Sequence, residues 1–133
     1  MAVSRLDTFA RKVADALQKA PADLQLRVSE FAANWAVGRT GLVHPSLKDG
    51  LVDDIAALVA KLDEQYFVLS EERDEGRATT EQVVEAFGRA RAANAVESMR
   101  RGDPGDAIYE AAASAEDWTE LRDAVLSQLG SDV

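Results

Sequence analysis

The chain has no cysteine, one histidine, three prolines and few aromatic residues, at 6% of its 133 positions. Without cysteine, a disulfide scaffold and thiolate metal sites are excluded. A single histidine excludes a di-iron bundle, which needs two Glu-x-x-His motifs. No apolar run of about 18 residues is present, so a membrane-spanning helix is not expected. No strand-like alternation of useful length is present either, which favours a helical fold.

The overall composition is that of a soluble globular protein. Apolar residues make up 47% of the chain and charged residues 29%, which separates it from disordered proteins. Its length predicts a single domain covering residues 1–133. The first residues show no apolar core or cleavage site of a secretory signal, so the expected location is cytoplasmic.

Apolar residues recur at helical spacing along the chain. The broadest pattern lies at 46–73, where Leu58, Leu62 and Tyr66 continue a stripe that Val59 and Phe67 widen beyond one face. Such breadth suits a helix with neighbours on more than one side. We therefore predict an all-α fold, a compact bundle of five to six helices around a central helix near residues 46–73.

Capping residues, prolines and glycines mark the predicted helix ends. The fourth helix, about 80–101, is rich in small residues, so a neighbouring helix can approach it closely. The expected boundary residues are Ser4 and Pro21 for the first helix, Gly38 for the end of the second, Gly76 for the end of the third, Thr79 with Gln82 and Asp103 with Pro104 for the next two starts, Ser114 with Asp117 for the last start, and Gly130 for its end.

The negative charge is unevenly distributed. The segment from Asp103 to the C-terminus has eight acids and one base, Arg122, and so carries −7 of the net charge of −9. A second acidic group surrounds Arg73 and includes Glu71 and Glu72. Such fields repel phosphate backbones and attract basic partners. Nucleic-acid binding is therefore not expected.

Trp118 is the most suggestive single residue, because it lies between acids in the sequence. An aromatic side chain with acidic neighbours is typical of an interface anchor with an electrostatic rim. The alternative is that Trp118 packs inward with Leu121 and Val125, while only the acids face solvent. The predicted partner-binding residues are Trp118, Asp117, Glu120, Asp123, Glu71 and Glu72.

Other charged residues are candidates for metal binding, catalysis or phosphate binding. The acidic pairs Asp49 with Asp53 and Glu81 with Glu85 have a spacing that can present two carboxylates to one metal ion, although solvated helix faces also explain them. The only histidine, His44, precedes Pro45 in a loop without a nucleophile motif. The arginines of the fourth helix suggest a strip for phosphate, but the favoured interpretation is intrahelical pairing, as in Glu85–Arg89 and Glu97–Arg101.

Three stretches carry a resemblance to a known group of proteins. They are Gly76–Thr80, Ala86–Ala93 and Asp106–Ala113, all rich in alanine, arginine or acids. Together they resemble small, acidic, alanine-rich helical proteins of high-GC bacteria, some of which are regarded as immunity partners of toxins. The resemblance implies a binding function and assigns no residue.

These observations rank three functions. The first is a non-enzymatic protein-binding module, an inhibitor or immunity-type protein that uses its acidic C-terminal region against a basic partner. The alternative is a self-associating structural or regulatory bundle, in which a second copy completes the broad stripe at 46–73 and forms a homodimer. The distant alternative is a carboxylate-metal hydrolase. No cofactor, nucleic-acid or membrane partner is predicted.

Overall fold

The computed structural model describes residues 5–45, 47 and 52–130, apart from the side chains at 7, 52 and 53. Within this part of the chain every regular element is a helix, which confirms the all-α class. The elements are α1 (Arg5–Phe9), α2 (Arg11–Lys19), α3 (Ala22–Thr40), α4 (Val52–Asp74), α5 (Thr80–Arg100), α6 (Pro104–Ala113) and α7 (Thr119–Gln128). Since only Ala10 separates α1 from α2, the two occupy the place of one predicted helix, and the helices of the described residues agree with a bundle of five to six.

Several predicted boundaries are confirmed because their signals are local. Thr79 and Gln82 form a complete capping box at the start of α5, with bonds of 2.9 and 3.1 Å. Asp103 caps α6, and Pro104 occupies its first turn, where a missing amide hydrogen costs little. Gly76 adopts the left-handed conformation just beyond α4, with a φ of 81°.

Three boundaries differ from the sequence prediction. Ala10 leaves helical geometry, with φ −149° and ψ 76°, although neither proline nor glycine marks this break. Helix α3 continues through Gly38 and ends at Thr40, where Gly41 takes the left-handed cap at φ 70°. Ser114 belongs to the end of α6 and its hydroxyl donates to the Ala111 carbonyl, so α7 begins only at Thr119.

The centre of the bundle is α5 rather than α4. Helix α5 packs extensively against α3, α4 and α6, whereas α4 packs extensively against α5 alone. Small residues make this position available, because α5 buries alanines on several sides and Gly88 lies against the Ser114 carbonyl. The predicted centre at 46–73 is therefore corrected for its described part. Residues 46 and 48–51 of that range lie outside the described residues.

The core lies between α5 and the helices around it. Its largest fully buried side chains come from four different helices, so the two ends of the described chain pack against its middle. They are Leu6, Ile55, Ile108, Leu121 and Leu126, each no more than 1% exposed.

Candidate partner-binding surfaces

Trp118 lies at the start of α7 and is partly buried. Its ring contacts that of Phe9 in α1, with 5.1 Å between the ring centroids, and Phe9 meets Tyr109 edge-on at 5.6 Å. Trp118 thus packs against the core while part of it remains in solvent. Trp118 therefore packs inward in part, as one interpretation of the sequence expects. Its role as an interface anchor, the other interpretation, stays a prediction.

Asp117, beside Trp118, is exposed but structurally engaged. Its Oδ1 accepts hydrogen bonds from the Thr119 hydroxyl at 2.6 Å and the Thr119 amide at 2.9 Å. These two bonds, the hydroxyl first, lower the pKa of Asp117, and the charges of Arg39 and Arg122 act weakly in the same direction. The Asp117 carboxylate, which is predicted to bind a partner, therefore also stabilises the turn that leads into α7.

The other two acids of this group differ in their partners. Asp123 Oδ1 lies 3.2 Å from the guanidinium of Arg122. Glu120 is exposed, and within the described part of the chain it has no ion pair or hydrogen bond from its side chain. Of the three acids around Trp118, Glu120 is thus the one whose charge is left to the solvent.

An ion network around the buried Glu110 connects the C-terminal acids to earlier helices. Glu110 is only 3% exposed and accepts from Arg5 Nη2 at 2.8 Å and from Arg91 Nη1 at 2.9 Å. Arg91 Nη2 also lies 3.1 Å from Asp63 Oδ1, and Arg5 Nε lies 3.5 Å from Asp106 Oδ1. The network joins α1, α4, α5 and α6. Two of the C-terminal acids are therefore neutralised in space by bases that are distant in the sequence.

Glu71 and Glu72 lie near the C-terminal end of α4, shortly after the exposed Phe67. Glu71 is exposed and Glu72 is partly buried. One helical turn before Glu71 lies Phe67, which is 63% exposed. Because residues three and four apart share a helix face, the exposed Glu64 and Glu71 flank the Phe67 ring on either side.

Phe67 belongs to a larger apolar area, here called the aromatic surface and defined as Tyr66, Phe67, Val84 and Phe87. The Tyr66 ring centroid lies 5.5 Å from that of Phe67 and 5.2 Å from that of Phe87 across the α4–α5 contact. Val84 is 44% exposed and Phe87 37%. Contiguous exposed apolar areas often mark interaction sites on protein surfaces.

A cavity of about 380 Å³ adjoins the aromatic surface. Tyr66, Val84 and Phe87 line one side of it, and the turn after α6, from Ala113 to Glu116, lines the other. The aromatic surface is thus continuous with a concave region, which suits an inserted side chain better than a flat face would.

No family model, curated protein or solved structure matches this chain.

The acidic pairs proposed for a metal give no site in the described residues. Glu81 and Glu85 are both exposed on α5, while Asp49 and the side chain of Asp53 lie outside what the structure describes. No group of three or more histidines, aspartates or glutamates suited to a metal is found in the described part of the chain. None of its helices is both long and apolar enough to cross a bilayer.

The sequence pattern does not predict the exposure of Phe67. It predicts that Phe67 widens the stripe of a helix with several neighbours, but α4 packs extensively on one side only, so Phe67 faces solvent. The available signal was its acidic environment, with Glu64 three positions before it and Glu71 four after. The same pattern drew attention to Trp118.

Proposed function

We propose that this chain is a non-enzymatic protein-binding module whose partner docks on the aromatic surface. The observation that carries the proposal is the exposure of Phe67, at 63%, beside the rings of Tyr66 and Phe87. Aromatic side chains are enriched in the cores of protein interfaces and depleted on surfaces that face only water. Docking would remove the Phe67 ring from water, which stabilises a complex by roughly 1.5–3 kcal/mol for a fully buried phenylalanine.

The charges around this surface favour a basic partner. Glu64 and Glu71 flank Phe67, and Glu72 follows one position later. Asp74 and Glu75 lie at and just beyond the end of α4, but Arg73 and Arg77 pair with them and offset part of their charge. Acids around an apolar centre accelerate the approach of a basic protein and reject acidic competitors. An inhibitor or immunity-type role, as implied by the resemblance in the alanine-rich stretches, is one form of such binding.

Self-association is the second candidate, and one observation favours it. Helix α4 packs extensively on α5 only, so a second copy has access to its outer face, where Phe67 and Val68 are exposed. In a two-fold dimer with Phe67 near the symmetry axis, however, the acids around Phe67 would approach the same acids of the second copy and so face like charges. A basic partner therefore ranks before a second copy.

The test is co-purification of the tagged chain from its native host, followed by mass spectrometry. The variants are Phe67→Ser and, as a matched control, Val43→Ser, since Val43 is exposed at 90% on a different segment. We expect the wild-type chain and the Val43 variant to retain one basic protein that the Phe67 variant loses. Equal recovery with all three would contradict the aromatic surface as the docking site.

Charge reversal separates the two acidic regions. Glu64→Lys with Glu71→Lys should weaken the complex, while Glu120→Lys with Asp123→Lys should leave it unchanged. The opposite result would place the interface in the region around Trp118, as the sequence predicts.

Sedimentation of the purified chain tests self-association. If the chain forms a dimer and Phe67→Ser dissociates it, the occupant of the aromatic surface is a second copy and not a basic partner.

A further inference from the structure

A second concave region lies between α2 and α7, beside Trp118. It has a volume of about 510 Å³, within the range of small-molecule pockets. Val13 and Leu126, each 1% exposed, belong to the core and form its apolar base. Phe9 and Trp118, whose ring centroids are 5.1 Å apart, supply aromatic faces. We name this region the basic cleft, for the charges described next.

Among the residues whose side chains the structure describes, the charged ones that line the basic cleft are all cationic. They are Arg11, Lys12 and Arg122, and no carboxylate of that part of the chain lines the cavity with them. This is unusual in a chain with a net charge of −9. Arg11 and Lys12 are exposed, and neither forms an ion pair with any described residue. Arg122 is engaged by Asp123 at 3.2 Å, which offsets part of its charge.

We propose that the basic cleft binds a small planar aromatic anion. The ring would lie against Phe9 and Trp118, since aromatic pairs stabilise one another in offset or tilted arrangements. Its carboxylate, sulfonate or phosphate would meet Arg11 and Lys12, whose donors have no carboxylate partner among the described residues. The proposal concerns a different surface from the aromatic surface, so it holds or fails independently of the proposed function.

The proposal also reverses the charge expected of a ligand at Trp118. Along the sequence Trp118 has acidic neighbours, which predicts a basic partner. In space, α2 brings Arg11 and Lys12 to the cavity beside it. The charge that a ligand meets is set by the side chains that line its cavity and not by those nearest in sequence.

The test uses naphthoate as the probe, with naphthylmethanol and naphthylmethylammonium as neutral and cationic analogues of similar shape. Two-dimensional NMR of the isotope-labelled chain follows its two tryptophan indole signals, which Trp35→Phe assigns. We expect naphthoate to bind at least about fivefold more tightly than the alcohol, because two exposed cations contribute modestly in water. The Trp118 signal should shift while that of Trp35 stays in place.

Two variants make the charge argument specific. Arg11→Gln with Lys12→Gln should bring the affinity for naphthoate to within about twofold of that for the alcohol, since the uncompensated cations are gone. The control is Arg27→Gln with Lys61→Gln, which changes the net charge equally but does not line the cleft. Asp123→Asn should strengthen binding, because it releases Arg122.

Three results would overturn the proposal. The first is the absence of naphthoate binding at millimolar concentration. The second is equal affinity for naphthoate and its neutral and cationic analogues, which would indicate non-specific hydrophobic contact. The third is binding that shifts Trp35 rather than Trp118. The amide spectrum of each variant shows directly that it is folded, so a loss of binding cannot be confused with unfolding.

Discussion

Replacing Arg91 by methionine tests how far the bundle depends on the ion network around the buried Glu110. Arg91 donates to Glu110 at 2.9 Å and to Asp63 at 3.1 Å, and so ties α5 to both α6 and α4. Methionine preserves much of the apolar stem of arginine and removes the charge. Glu110, at 3% exposure, would keep only Arg5 as a cationic partner.

The expected magnitude follows from the burial of Glu110. Removing one partner of a buried ion pair costs about 3–5 kcal/mol, because the remaining charge is left without compensation. Since Arg5 stays 2.8 Å away, we expect the lower end, about 3 kcal/mol. That is a large share of a typical total stability of roughly 5–15 kcal/mol.

Urea unfolding followed by circular dichroism measures this cost, with an unchanged m value as the sign of intact two-state unfolding. Arg89→Met is the matched control, because Arg89 lies two positions earlier on α5 and has no ion pair among the described residues; its cost should stay within about 0.5 kcal/mol. Combining Arg91→Met with Glu110→Leu should cost less than the sum of the single changes by at least about 1.5 kcal/mol. Additive effects, or an Arg91 variant as stable as the control, would refute the reasoning.

Two further predictions concern packing and pH. Gly88→Ala should destabilise the chain by about 1–2 kcal/mol in urea unfolding, since a Cβ there would lie 3.0 Å from the Ser114 carbonyl oxygen. At Gly38 a Cβ would meet nothing within 4 Å, so Gly38→Ala should stabilise the chain by about 0.5–1 kcal/mol. Equal effects of the two substitutions would argue against the close approach at Gly88. The hydrogen bonds from Thr119 lower the folded-state pKa of Asp117. The ionised Asp117 therefore contributes its full share to the stability of the fold above its unfolded-state pKa, and that share is lost as the pH falls through the folded-state pKa. The stability difference between the wild type and Asp117→Asn should therefore shrink in acid, and a difference that grows instead, in melts across a pH series, would contradict the assignment.

The starts of α5 and α6 were predictable because their capping signals act over a few residues. A capping box such as Thr79 with Gln82 satisfies amide hydrogens within one turn, whatever the rest of the fold does. The break at Ala10 and the passage of α3 through Gly38 have no such signal. At these points tertiary packing decides the backbone, and propensity is only a weak guide.

The centre of the bundle was misplaced for a physical reason. Apolar breadth indicates that a helix has much surface to bury, but it does not distinguish a central helix from an outer one that exposes the surplus. Phe67 is that surplus on α4. Helix α5 is central because its alanines permit close approach, and alanine contributes little to a hydrophobic pattern.

The charges show the same limit. Neighbours on one helix are visible in the sequence, and the predicted pair Glu97–Arg101 is present at 3.5 Å. The Glu85–Arg89 pair is not among the ion pairs of the described residues. The stronger contacts of Arg91 reach residues 19 and 28 positions away, which no local rule anticipates.

The most direct test of the docking proposal places a photo-crosslinking residue at the aromatic surface in living cells of the native host. The variant Phe67→benzoylphenylalanine is compared with Val43→benzoylphenylalanine, which presents the same group at another exposed position. The proposal predicts one crosslinked adduct with a basic protein, formed only from position 67. Adducts identical from both positions, or an adduct of position 67 with a second copy of the chain alone, would contradict it.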